Sequence, residues 1–202
     1  MPQFDLRNIK AAKYVNNNGT ITYTNKAKVG DAMTANLEFR NAEGRLYAES
    51  TLAEYMRKAT GGTISLGVKY LADTVQQLLF GMSAKTRTVS YTAGSPAATT
   101  TTSVSGVSIG ANTEGNYVGV AFYSPDMRDG VQKFFCCFVP KAMFGPPSMS
   151  LQTAGENIVF QTPVTTGEFL ASDAADKELL ETAICDTEAA AIAWVDAVLN
   201  AS

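Results

Sequence analysis

Hydrophobic and polar positions alternate with a period of two through most of this chain, the pattern of strands that set one face on a core and the other in water. Between Asp31 and Arg40, Met33, Ala35, Leu37 and Phe39 fall on one face, and Thr34, Asn36, Glu38 and Arg40 on the other. After Gly61-Gly62 the alternation resumes, with Ile64, Leu66, Val68 and Tyr70 inward and Thr63, Ser65 and Lys69 outward. From Tyr117 to Glu168 the chain reads as four β-segments. Their turn signals are Pro125/Asp126 with Asp129-Gly130, Gly145-Pro146-Pro147, and Gly155-Glu156-Asn157. Val118, Val120 and Phe122 alternate, whereas Val131 to Val139 is nearly all apolar, as in a strand covered on both faces. Met149 and Leu151 oppose Ser148, Ser150 and Gln152, and Ile158 and Phe160 repeat the pattern. Near the N-terminus, AAKYV and TITYT flank Asn16-Asn17-Asn18-Gly19, which predicts a hairpin over residues 11–25 because Asn-Gly supplies the positive φ angles of a tight turn.

Helical spacing is confined to two places. Asp73, with Gln76 three residues on and Gly81 as a stop, predicts a short helix whose stripe of Leu71, Val75, Leu78 and Leu79 covers one side of a sheet. Thr187-Glu188 opens a second helix, with Ala191, Trp194, Val195 and Val198 on one stripe; just before it, Leu179 to Cys185 fits either a helix or a short strand. Two stretches lack a clear period. Asn41 to Thr60 carries Glu43, Arg45, Glu49, Glu54, Arg57 and Lys58 and reads as a solvated loop or short surface helix. Residues 83–113, rich in Thr, Ser, Ala and Gly, read as an edge strand or flexible surface loop. The expected fold is mainly β over residues 1–170, with one flanking helix and an acidic helical segment, 171–202, packed on it.

Composition adds exclusions. At 202 residues, 46% apolar and 17% charged, the chain is long and apolar enough to bury a real core. Residues 171–202 hold seven acids against Lys177, whereas the first 170 residues hold 15 basic and 12 acidic side chains with no basic block. Sequence-specific nucleic-acid binding therefore has little support. The N-terminus lacks the apolar core of a signal peptide and no apolar run is long enough for a membrane helix, so the expectation is a chain made in a cytoplasm without membrane insertion. Asn18-Gly19-Thr20 then reads as a turn and not a glycan site. Cys136 and Cys137 are adjacent in a strand and point to opposite faces, and Cys185 lies far along the chain; all three read as buried apolar thiols. There is no histidine, no G-x-S-x-G and no metal-spaced acid cluster. Gly62-x-x-x-x-Gly67-Val68-Lys69 misses a P-loop, because its lysine comes one place late, no Ser or Thr follows, and its spacer alternates like a strand. The expectation is a protein with no catalytic residue, no cofactor and no metal.

The order FVPKAMFGPPSMSLQTAGENIVFQTPVTTGEFL, together with LEFRNAEGRLYAES and GGTISLGVKYLADTVQQLLFG upstream, resembles the major tail proteins of long, non-contractile-tailed bacteriophages. The likeness spans most of residues 28–170 and lies in order and spacing. It implies a β-sandwich or partial barrel that joins its neighbours edge to edge in hexameric rings around a β-barrel channel. Rings would stack into the tail tube of the virion, enclosing the tape-measure protein and later conducting DNA, with a tail-tip initiator and a tail terminator as further partners. Ring closure suits many-stranded chains, since it removes exposed edges. Carried over by position, Thr34, Asn36, Glu38, Thr63 and Ser65 would face the lumen. The loop bearing Glu43, Arg45, Glu49, Glu54, Arg57 and Lys58 would reach the next ring. The acidic segment lies outside the likeness, and three placements stay open for it: the tube exterior, a neighbouring subunit, or a position that holds back polymerisation. The alternative is a β-sandwich binding or decoration module holding carbohydrate or a host surface through Tyr14, Tyr23, Tyr47, Tyr55, Tyr91, Tyr117 and Tyr123. The scatter of the tyrosines among the expected strands favours ordinary packing instead.

Overall fold

The computed structural model describes residues 5–48, 50–94, 97–148, 153 and 162–200. Glu49, the turn at Gly155-Glu156-Asn157 and the expected alternating segments 149–152 and 157–161 lie outside the described residues. The protein is mainly β: β1 (Arg7–Asn17), β2 (Thr20–Lys28), β3 (Ala32–Ala48), β4 (Thr51–Val68), α1 (Asp73–Phe80), β5 (Ser83–Ala93), β6 (Ala98–Ser108), β7 (Tyr117–Arg128), β8 (Val131–Phe144), β9 (Val164–Phe169), β10 (Glu181–Cys185) and α2 (Glu188–Val198). Eight strands form one antiparallel sheet in the order β2-β1-β7-β8-β9-β4-β3, with β10 also paired to β8. Among the described residues, β5 and β6 pair only with each other.

β8 is where the sheet turns into a partial barrel. Phe134 to Phe138 pair with β10, and Ala142 to Phe144 pair with β9, so one strand passes its edge from one neighbour to another. A bulge in the β7–β8 ladder between Val118 and Val120 marks the change, as bulges do where strands bend. The curled sheet encloses a main core of Ile9, Ile64, Leu66, Val68, Val118, Val120, Val139 and Phe169, which the buried side of α1 (Val75, Leu78, Leu79 and Phe80) covers. A second core lies on the outer face of the β1-β7-β8-β10 layer. Ala12, Ala121, Tyr123, Phe134, Cys136 and Phe138 meet Ala191, Val195 and Leu199 of the α2 segment there.

Local chemistry explains the ends of these elements. Asn18 (φ 52°) and Gly19 (φ 91°) make the expected β1–β2 turn. α1 ends at Gly81, left-handed at φ 65°, whose N–H donates to the Gln77 carbonyl. Its start differs from expectation. Extended Ala72 is the cap residue and makes no side-chain bond; Asp73 is the first helical residue, and the Gln76 amide donates back to the Leu71 carbonyl. Thr187 caps α2 by accepting from the Ala190 N–H at 3.2 Å. Leu179 to Cys185, open between two readings, contains strand β10.

Three sequence expectations are corrected. Asn41 to Thr60 is neither loop nor helix: it is the continuation of β3 and β4, paired from Asn41↔Ala59 to Ala48↔Thr51. Tyr70 lies past the end of β4 and is exposed, because the strand stops at Val68. Pro125 and Asp126 make no turn. They lie within β7 beyond its last pairing with β1, Arg7↔Tyr123, so the proline interrupts no ladder with that neighbour, and the chain reverses at Asp129-Gly130 (φ 50° and 79°).

Candidate assembly surfaces

The outer face of the β3-β4-β9 layer is polar and in solvent. Glu38 lies opposite Thr63, which lies opposite Glu168; Asn36, Ser65 and Thr166 form the next row, and Thr34 sits beside Gly67. Directly paired residues share a face, so Thr34, Asn36, Glu38, Thr63 and Ser65 come together as the alternation predicts. Thr34, Asn36 and Glu38 are exposed, while Thr63 and Ser65, on the inner strand, are half-buried. Arg40 closes the row with an ion pair to Glu168 at 2.9 Å, and Thr166 Oγ1 lies 3.5 Å from Ser65 Oγ. Gly62 is what lets the layer close. A Cβ there would fall 2.0 Å from the Glu38 carbonyl oxygen and 2.6 Å from the Phe169 ring, which itself packs edge-on against Phe39.

Beyond Gly61, β3 and β4 leave β9 behind and continue as a two-stranded arm. The arm divides the charged residues singled out in the sequence. Glu43 pairs with Arg45 (3.4 Å) and with Arg57 across the ladder (3.7 Å), and the Arg45 guanidinium lies over the Tyr55 ring at 5.7 Å. By register, Glu54 and Lys58 lie on the opposite face with Ala42, Gly44, Leu46 and Met56. Leu46 is 57% exposed and Met56 75%. One face of the arm thus satisfies its own charges, and the other offers apolar side chains to water.

A second hairpin, β5–β6, stands apart from the main sheet among the described residues and takes the strand alternative of the two readings of residues 83–113. Every residue of β5 is exposed. One face carries Lys85, Arg87, Val89, Tyr91 and Val104, the first three and Val104 lining a shallow recess of about 270 Å³. The other is a hydroxyl surface, with Thr86, Thr88, Ser90 and Thr92 facing Ser105, Ser103, Thr101 and Thr99. Its hydroxyls bond across the strands at Thr86–Ser105 (3.3 Å) and Ser90–Thr101 (3.0 Å). The signal that could have found it is the strict alternation of Lys85, Arg87, Val89 and Tyr91 with Thr and Ser.

The acidic C-terminal segment is strapped to the sheet by bases far away in sequence. Glu188 accepts from Arg7 and from the Tyr123 hydroxyl, both at 2.8 Å. Asp196 pairs with Lys10 (2.6 Å) and Lys26 (3.0 Å), Asp186 with Lys133 (2.5 Å), and Asp173 with Lys141 (2.8 Å). These partners hold three carboxyls below their ordinary range: Glu188 through Tyr123 and Arg7, Asp196 through Lys10 and Lys26, and Asp173 through Lys141. Glu178 moves the other way, raised by burial and then by the like charges of Asp176 and Glu181.

Among the described residues, no group of three or more His, Cys, Asp or Glu side chains is placed to hold a metal ion, and no helix is long and apolar enough to cross a membrane. No protein-family model matches the chain, and no curated protein matches it in sequence.

Proposed function

We propose that this chain is a self-assembling structural subunit of a phage tail tube, resembling the major tail proteins of long, non-contractile-tailed bacteriophages. The observation that carries the reading is the pair of free-standing hairpins. A two-stranded hairpin in water is marginal on its own. Both arms nevertheless expose apolar residues, Leu46 and Met56 on one and Val89, Tyr91 and Val104 on the other. Such arms gain most of their stabilisation by docking on neighbours.

The free edges suggest how. β3 ends the main sheet with Met33 and Phe39 half-exposed on its core side and Thr34, Asn36 and Glu38 on its polar side. β5–β6 has a similar alternation, with Val89 and Tyr91 beside Lys85 and Arg87 on one face and hydroxyls on the other, and pairs with no further strand among the described residues. Edge pairing of β5–β6 with β3 of a second copy would continue apolar with apolar and polar with polar. Repeated round six copies, it closes a ring-shaped barrel. The bore would then be lined by Thr34, Asn36, Glu38, Thr63 and Ser65 and by the hydroxyl face of β5–β6. These side chains are neutral or acidic, so they hold water and give phosphate no grip. The tape-measure protein would occupy this bore during assembly and DNA would pass through it later, while the β3–β4 arm reaches the adjacent ring. α2 lies on the outer face of the other layer and would face away from the bore.

The test is negative-stain electron microscopy of the purified full-length protein across a concentration series, alone and co-expressed with tail-tip proteins. Rings or hollow tubes of uniform diameter are expected. Protein that stays monomeric in every condition would sink the reading and favour a monomeric binding module.

A further inference from the structure

We propose that Cys136 and Cys185 are a cross-linking site, a dithiol that closes to a disulfide under oxidising conditions and fastens the C-terminal segment to the main sheet. The two lie on adjacent antiparallel strands: Cys136 of β8 is opposite Ala183, and Cys185 of β10 is opposite Phe134. They are diagonal neighbours on the face beneath α2, and their sulfurs are 3.8 Å apart. The diagonal between them is flanked by Ala183, opposite Cys136, and by Phe134, opposite Cys185; Ala183 is small and crowds neither sulfur. Cys137 points into the other core, so it does not compete for either partner.

A disulfide bond spans about 2.05 Å, so closure requires the sulfurs to move together by nearly 2 Å. Rotation of both side chains supplies part of this. The rest falls to β10, which has five residues and, among the described residues, pairs only with β8, so it shifts more easily than a central strand. A bond closed across a diagonal pair carries strain, and strained disulfides are the readily reduced ones. The site therefore stays a dithiol in a reducing cytoplasm and closes when the protein meets an oxidising medium.

The oxidant is a small-molecule disulfide such as oxidised glutathione. Cys185 is part-exposed and reacts first. Its thiol gives a proton to solvent, its sulfur bonds to one sulfur of the reagent, and the other leaves as a glutathione thiolate. Cys136 then loses its proton and attacks the Cys185 sulfur, releasing the second glutathione. Two protein thiols are oxidised and one small disulfide is reduced to two thiols. Burial, followed by the neighbouring Cys185, pushes the Cys136 thiol up to about 12, so this second step is the slow one.

The inference is independent of the tube reading and is tested on the full-length protein. Incubation with oxidised glutathione, followed by denaturation and thiol blocking, should leave one blockable thiol and an intact mass lower by about 2 Da. Cys137→Ser should keep the cross-link, and Cys185→Ser should abolish it. The oxidised wild type should melt roughly 5–10 °C higher than the reduced form, a gain the Cys185→Ser protein lacks. Three blockable thiols after prolonged oxidation would overturn the inference. So would a stable glutathione adduct on Cys185, loss of the cross-link in Cys137→Ser, or a cross-link between chains in place of the one within a chain.

Discussion

Replacing Leu46 and Met56 by serine separates an assembly arm from a solvated insertion. Full burial of a leucine or methionine side chain is worth about 1.5–3 kcal/mol. Leu46 is 57% and Met56 75% exposed, so docking leaves roughly 1–2 kcal/mol for each to gain, or about 2–4 kcal/mol for the pair. Lost from each subunit contact, that lowers the association constant by roughly 30- to 1,000-fold. The monomer should barely notice, because neither side chain belongs to a core and Glu54 and Gly44 lie across the ladder from them; its stability should change by no more than about 1 kcal/mol. Sedimentation across a dilution series gives the concentration at which tubes form, and thermal denaturation of dilute monomer gives the stability. Assembly at the wild-type concentration would refute the docking role. A large fall in monomer stability would show instead that these side chains pack within their own subunit.

Three further outcomes follow from the geometry. Glu38→Lys and Thr101→Lys place cations on the proposed bore, so tubes should form normally while dye-monitored DNA release from particles slows; unchanged release would remove these faces from the bore. Gly62→Ala drives a methyl into the Glu38 carbonyl and the Phe169 ring; it should cost about 3 kcal/mol and lower the melting temperature by roughly 6–12 °C, and a shift under roughly 2 °C would contradict that packing. Asp196, Asp173 and Glu188 have folded values held below the ordinary 3.8, 3.8 and 4.5. Their contribution is complete at neutral pH, declines as pH falls past those ordinary values, and is gone below the folded ones. Trp194, the single tryptophan, packs against the α2 core; its emission should shift to the red below about pH 4.5 as the segment loosens, and emission constant down to about pH 3 would show that the ion pairs do not hold the strap.

Elements that bury one face were legible in the sequence, and elements exposed on both faces were not. β1–β2, the inner part of β3–β4, β7 and α2 announce themselves because alternation or helical spacing records a core on one side. The outer part of β3–β4 has water on both faces. Its order shows as cross-strand relations such as Glu43↔Arg57, which become visible only once the register is known. β5–β6 stayed open between an edge strand and a flexible loop for the same reason, since threonine and serine record no burial. The shared polar face of Thr34, Asn36, Glu38, Thr63 and Ser65 was readable because Ile64 and Leu66 between its members are buried. The strap was not: Lys10 and Asp196 are 186 positions apart, as far beyond local pattern as the meeting of Cys136 with Cys185.

The placement of 171–202 bears on how copies can associate. Within one subunit the segment pairs as β10 with β8 and lays α2 over Ala121, Tyr123, Phe134 and Phe138. That covers the one outer face whose side chains are apolar. The other outer face is polar without help, from Thr34 to Glu168. Among the described residues, the groups left without a partner strand or core include the ladder edges of β2 and β3 and the apolar side chains of the two hairpins. Association driven from edges and arms would be lateral and axial, and in the proposed ring it would leave the faces to the bore on one side and the surroundings on the other. A subunit that docked through a face would need the opposite distribution, an uncovered apolar sheet and short, blunted edges.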